Sequence, residues 1–207
     1  MIRRVRIKMC GMTRVEDIDH AIALGVDAVG FIFYASSTRH VTIELAKTLS
    51  KQLPAFVDAV AVFVDPDPSL VQQVITQLPV QYLQFHGHES AEFCSQFDRP
   101  YIKAIHATST QCIENSIKEH QDAVAILLDT PSITHRGGSG KSFDWGIIPQ
   151  VSKPIILAGG LDALNVADAV SACSPYAVDV CSGVETSPGI KDWDKMNQFV
   201  NALWGNR

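Results

Sequence analysis

The sequence predicts an α/β fold, a single-domain (β/α)8 TIM barrel spanning residues 1–207. Three observations carry this. The segments DAVGFIF (27–33), DAVAVFV (58–64) and DAVAILL (122–128) nearly copy one another. Each is a polar residue followed by a short β-branched and apolar run, which is how a strand buried on both faces reads. Helical patterns alternate with such runs from one end of the chain to the other, and residues with chemistry to offer recur where the runs stop.

Taken in order, the strands are VRIKMC (5–10), 27–33, 58–64, VQYLQF (80–85), PYIKAI (100–105), 122–128, PIILA (154–158) and YAVDV (176–180). Pro100 and Pro154 stand at strand starts, where a missing N–H is tolerated. Between them, VEDIDHAIALG (15–25) gathers Ile18, Ala21, Ile22 and Leu24 on one face and closes on Gly25, a favourable residue just past a helix end. DPSLVQQVITQL (67–78) opens with Asp67 as N-cap and Pro68 in the first turn. Residues 42–52, 89–97, 108–120, 162–172 and 192–204 fit the same role, whereas 144–150 is a poor helix stopped by Pro149. Eight units in 207 residues leave about 26 residues each, near the lower limit for a closed barrel. An open doubly wound sheet would carry fewer strands and a G-x-G-x-x-G turn after the first, which this chain lacks.

Composition excludes several partners. A net charge of −5 with no basic cluster beyond the RRVR start argues against nucleic acid. No window approaches ~18 uninterrupted apolar residues, and the N-terminus lacks the apolar core of a signal peptide, so no membrane association and a cytoplasmic location are expected. Five cysteines without a CxxC pair read as reduced thiols. A monomer is expected, since no long exposed apolar stripe is evident.

In a barrel of this kind the active site is built from strand C-termini and the loops that follow them. Those positions read Cys10, Phe33-Tyr34, Asp65, His86, His106, Asp129, Gly159-Gly160 and Ser182-Gly183, whereas the strand interiors look almost free of polar residues. Cys10 alone reads more readily as a small buried hydrophobe. Followed by Gly-Met-Thr at the first strand end, it reads as a base or nucleophile whose thiol needs only a modest downward push from ~8.5. Asp129 serves either as a loop-ordering carboxylate or as a general acid. The second role requires a pKa raised from ~3.9 toward neutrality, which the apolar AVAILL run before it would favour.

RGGSGKS (136–142) is not a Walker A loop, because His135 stands where its first glycine belongs; a lid remains open to it. Gly159-Gly160 and Ser182-Gly183, in the loops after strands seven and eight, are the better phosphate turns. Arg39 could hold a carboxylate bidentately or be a solvated charge. His86-x-His88 lacks a third ligand at metal spacing, so no metal is expected. His20, His40, His120 and His135 read as surface or helix residues.

KMCGMTR (8–14), DAVGFIFY with R-x-V at 39–41, LQFHGHE (83–89), LLDT with GGSGKSFDW (127–130, 137–145), LAGGLDALNV (157–166) and VDVCSGVETSPGIKD (178–192) together resemble the phosphoribosylanthranilate isomerase family of tryptophan biosynthesis. The match runs in order along nearly the whole chain. The resemblance implies a cofactor-free Amadori rearrangement of a phosphosugar–anthranilate substrate. It implies Cys10 as the base at the sugar C2′, Asp129 as the acid on the ring oxygen, and Arg39 against the anthranilate carboxylate. The phosphate then falls to Gly159, Gly160, Ser182 and Gly183. The related histidine-pathway isomerases resemble it less, with an aspartate where this chain has Cys10. A binding barrel without catalysis would need the glycine turns and Arg39, but neither Cys10 nor Asp129.

Three departures from the family pattern stand out. Cys181 replaces a more usual Ser and reads as a packing change, YASST replaces a Pro-Lys loop before Arg39, and Phe85 stands where Leu is common, a volume change expected beside the site.

Overall fold

A computed structural model describes residues 4–129 and 145–205. Eight parallel strands close into a barrel in chain order: β1 Arg6–Cys10, β2 Ala28–Ile32, β3 Asp58–Phe63, β4 Tyr82–Phe85, β5 Tyr101–His106, β6 Ala125–Asp129, β7 Ile155–Ala158 and β8 Ala177–Val180. The first and last strands seal it, with Arg6 to Met9 registered against Ala177 to Val180.

Seven α-helices wrap the barrel among the described residues: α1 Val15–Leu24, α2 Ile43–Ser50, α3 Pro68–Gln77, α4 Ala91–Ser95, α5 Thr110–Glu119, α6 Val166–Cys173 and α7 Trp193–Trp204. Their ends follow local chemistry. Gly25 caps α1 at φ 79°, Asp67 accepts from the Ser69 N–H at 2.8 Å, and Asp192 accepts from the Lys195 N–H at 3.1 Å. Two helices are shorter than expected. α4 spans five residues, and α6 starts only at Val166, because the Asp162 carboxylate ties the Leu164 and Asn165 amides into a turn first. The weak 144–150 segment contributes a single 3₁₀ turn, Trp145–Ile147.

Alternation along the strands divides the apolar residues between two layers. Cys10, Val60, Val62, Ile102, Leu127 and Ile156 fill the barrel, and a larger cluster lies between strands and helices. Phe85 belongs to that outer layer. Its ring packs against Phe63 and Phe97 at 6.0 Å, so the exchange expected beside the site points away from it. His120 is likewise no surface residue; it is buried against Tyr101.

An antiparallel hairpin follows β8, β9 Glu185–Ser187 and β10 Ile190–Lys191. At three and two residues, its strands are too short to show as runs in the sequence. Fully buried Asp17 of α1 accepts from the Lys191 N–H at 3.2 Å and from Trp193 Nε1 at 3.0 Å, joining hairpin and α7 to the first helix. Replacing Asp17 with Ala strands both donors and is expected to lower the urea unfolding free energy by about 2–3 kcal/mol. An unchanged unfolding midpoint would show that this tie does not hold the two ends of the chain together.

Candidate active site

At the C-terminal ends of the strands lies a cavity of about 490 Å3, lined among others by Cys10, His86, Asp129, Asp179 and Cys181. Gly159, Gly160, Ser182 and Gly183 line it as well. Hollows of about 690 and 530 Å3 also occur, one beside Val5 and Ile148 and one at the N-terminal end of the barrel. Neither brings a strand-end thiol, a carboxyl and glycine turns together, so the smaller rim cavity is the candidate site.

Backbone geometry explains the glycines. Gly159 and Gly160 adopt φ of 84° and 60°, conformations that glycine reaches without strain. A Cβ on Gly183 would collide with the Leu161 carbonyl oxygen, so the turn after β8 can rest against the turn after β7 only without a side chain. Gly30, on β2, leaves space instead for chemistry. A Cβ there would stand 2.7 Å from Cys10 Sγ and 3.2 Å from Lys8 Nζ, so thiol and ammonium crowd the same point.

Cys10 is 6% exposed, and its surroundings favour the thiolate. The neighbouring Cys181 side chain favours the ionised form, and the buried ammoniums of Lys8 and Lys191 add their charge. Together these overcome the burial that would otherwise keep the proton on, and hold the Cys10 thiol well below its ordinary value. Cys181 is driven the opposite way by the Cys10 sulfur beside it and by its own burial, so it is the member of the pair that keeps its proton.

Lys8 Nζ lies 2.9 Å from Asp179 Oδ1, with both side chains less than a tenth exposed. Burial alone would discharge Lys8, but Asp179 and Cys10 reverse the balance and raise it. Burial pushes Asp179 up to about 7, against the pull of Lys8.

Lys191, on the hairpin, donates to the Cys10 carbonyl at 2.6 Å, to the Cys181 carbonyl at 3.2 Å and to Glu185 Oε1 at 3.0 Å. Glu185 also takes Arg39 Nε at 2.9 and 3.1 Å and Nη2 at 2.6 Å. Burial works against the Glu185 carboxylate, yet Arg39 and Lys191 keep it below the usual range. Arg39 is therefore neither a solvated charge nor part of the cavity lining. One edge of its fork is spent on Glu185.

Asp129 lies three strands round from Cys10, and its neighbours differ from the apolar setting expected. Its Oδ2 is 3.3 Å from His86 Nε2 and 3.7 Å from His106 Nδ1. Gln84 backs His86, Nε2 to Nδ1, at 3.1 Å. Among the described residues no three His, Cys, Asp or Glu side chains converge as a metal site. His88 turns outward, with its backbone N–H on Asp65 Oδ1 at 2.6 Å. The RGGSGKS segment lies outside the described residues.

The structure thus brings Cys10, Asp129 and both glycine turns to one cavity and sets Arg39 beside it. Sequence reasoning missed Lys8, Gln84 and Asp179 inside the barrel and Glu185 and Lys191 on the hairpin. A signal existed for the first three. Residues 8 and 10, 84 and 86, and 179 and 181 are each two apart on a strand and therefore share a face.

Comparison with known proteins places these features in context. A family model described as N-(5′-phosphoribosyl)anthranilate (PRA) isomerase matches residues 7–202. The chain is 58% identical over 203 residues to an N-(5′-phosphoribosyl)anthranilate isomerase of Legionella pneumophila, covering 98% of both proteins. It superposes on the phosphoribosylanthranilate isomerase of Thermotoga maritima with a TM-score of 0.86 at 36% identity, over 98% of this chain and 100% of that one. A solved phosphoribosylanthranilate isomerase in complex with reduced 1-(o-carboxyphenylamino)-1-deoxyribulose 5-phosphate gives a TM-score of 0.84 at 34% identity, with the same coverage.

The thiols separate by environment. Burial pushes Cys94 up to about 12 and Cys173 to about 11, while Cys10 moves down. Since the thiolate is the nucleophile, iodoacetamide is expected to label Cys10 at a lower pH than either, as read by peptide mass spectrometry. Labelling of Cys94 or Cys173 at the same pH as Cys10 would contradict the charge balance described.

Proposed function

The chain belongs to the N-(5′-phosphoribosyl)anthranilate isomerase family, and we propose that in its reaction Cys10 is the base and Asp129 the acid. The protein is an isomerase of tryptophan biosynthesis. It converts N-(5′-phosphoribosyl)anthranilate to 1-(2-carboxyphenylamino)-1-deoxyribulose 5-phosphate by an Amadori rearrangement.

The observation that carries the assignment is the pairing, across one cavity, of a buried thiol held as thiolate with a carboxyl set between two imidazoles. Asp129 protonates the furanose ring oxygen, and the anthranilate nitrogen lone pair opens the ring to a Schiff base. The C2′–H is then acidified by the adjacent iminium, and the Cys10 thiolate removes it. The resulting enolamine returns to the amino ketone by protonation at C1′. One carbon is oxidised and its neighbour reduced within the same molecule, so proton transfers suffice and no cofactor is required. Acid–base catalysis of this kind is worth ~10²–10⁴ per group.

The substrate's three parts match three regions. Its phosphate is received at Gly159-Gly160 and Ser182-Gly183, where small residues let backbone amides approach an oxyanion. Its anthranilate carboxylate meets the edge of Arg39 that Glu185 leaves open. Lys8 and Lys191 do not bind it; their role is to maintain the base.

The enzyme works as a single barrel domain over residues 1–207 and as a monomer, in the cytoplasm, where Cys10 stays reduced. No helix among the described residues is long and apolar enough to cross a membrane, and the net charge of −5 disfavours nucleic acid.

With substrate made in situ and followed by loss of anthranilate-type fluorescence, Cys10→Ala and Asp129→Asn are each expected to lower kcat by ~10²–10⁴ with the fold retained. Near-wild-type turnover in either variant would remove that residue from its role. Sedimentation at micromolar concentration is expected to give a mass near 22.6 kDa, and twice that value would replace the monomer with a dimer.

A further inference from the structure

Cys181 stands outside this account of the reaction, although the fold aims it at the base. Met9 of β1 registers on Val180 of β8, so Cys10 and Cys181 are the next residues along neighbouring strands, and both line the rim cavity. Strands this close, roughly 4.8 Å apart, set two inward side chains from adjacent ends side by side. Lys191 clamps the pair by binding both of their carbonyl oxygens.

We propose that Cys181 is a positioning residue for Cys10, its thiol donating a hydrogen bond to the Cys10 sulfur across the β1–β8 seam and holding it in its proton-accepting form. This rests on Cys10 being the base.

The thiol has one proton and two acceptors to choose between. Glu185 Oε1 is 3.9 Å from Cys181 Sγ, but that carboxylate already takes Arg39 Nε and Nη2, Lys191 Nζ and the Gly189 amide. The Cys10 sulfur, buried and charged, is the less satisfied acceptor. The contact is confined as well. A Cβ on Gly11 would stand 3.0 Å from Cys181 Sγ and 2.8 Å from Arg39 Cδ, so the thiol is boxed between the Gly11 turn and Arg39. Among the described residues, the titratable and charged groups facing Cys10 come from several elements: Lys8 on β1, Asp179 and Cys181 at the end of β8, Glu185 and Lys191 on the hairpin, Arg39 from the loop after β2, and His86 and Asp129 across the cavity. Of these, Cys181 is the one that reaches the sulfur with a neutral donor. It can therefore stabilise the negative charge without pairing it off, and the base keeps its basicity toward carbon.

The test reads Cys10 alkylation by iodoacetamide against pH, without substrate and by peptide mass spectrometry, alongside the acid limb of kcat/KM. Cys181→Ala is expected to raise both midpoints by about one pH unit or more. Cys181→Ser, which restores a donor, is expected to bring both back toward wild type. Cys181→Val, which keeps bulk but not the donor, serves where the alanine variant fails to fold, and should behave as Ala does. An alkylation midpoint unmoved in Ala and Val overturns the proposal, as does a serine variant that shifts as far as alanine. Near-wild-type turnover by Cys10→Ala overturns the base on which the proposal rests, and the alkylation midpoint still decides the Cys10–Cys181 bond on its own.

Discussion

An ammonium cannot be taken into a barrel alone, and much of this site follows from how Lys8 is accommodated. Leaving such a charge unpaired after burial costs several kcal/mol, so Asp179 must come with it, and the two meet at 2.9 Å across the β1–β8 seam. The pair needs room. Ala28, Gly30, Ala158 and Ala177 supply it by keeping neighbouring inward positions small. The outcome is a fixed positive charge beneath Cys10, at a depth where water screens little. Stability alone would be as well served by an apolar pair of similar volume. The ions make sense as the electrostatic floor of the thiolate above them.

A second, shallower network braces the same thiolate from the side. The hairpin after β8 presents Glu185 and Lys191 together, and each does two things. Glu185 fixes Arg39 while charge-pairing Lys191, and Lys191 binds the ends of β1 and β8 while adding charge near the sulfur. Arg39 is therefore held in one orientation by Glu185. On the far wall Asp129 has its own support, His86 backed by Gln84 and His106 reaching in from β5.

Most of this architecture was legible in the sequence, and the parts that were not share physical causes. Buried parallel strands announce themselves as apolar runs, and Asp67 and Gly25 announce helix ends, so all eight strands and the helical layer could be anticipated. The same expectation of apolar runs concealed Lys8, Gln84 and Asp179, because a polar residue inside a strand reads as noise until its face is tracked two residues at a time. The β9–β10 hairpin was hidden by its length. A difference from a family pattern shows in sequence, but the face a side chain occupies does not. Phe85 proved to be outer packing, and Cys181 lines the rim cavity beside Cys10.

The seam where the barrel closes also dictates when the site comes into being. Lys8 and Asp179 are separated by 171 residues of chain, and Lys191 and Cys10 by 181. Contacts this remote in sequence are the last to be rewarded as a chain folds, since the whole intervening loop must be ordered first. During synthesis Cys10 emerges early but remains an ordinary thiol until β8 and the hairpin have docked. Its reactivity is thus acquired at the final step of assembly, and an incomplete or opened barrel has no activated sulfur to expose.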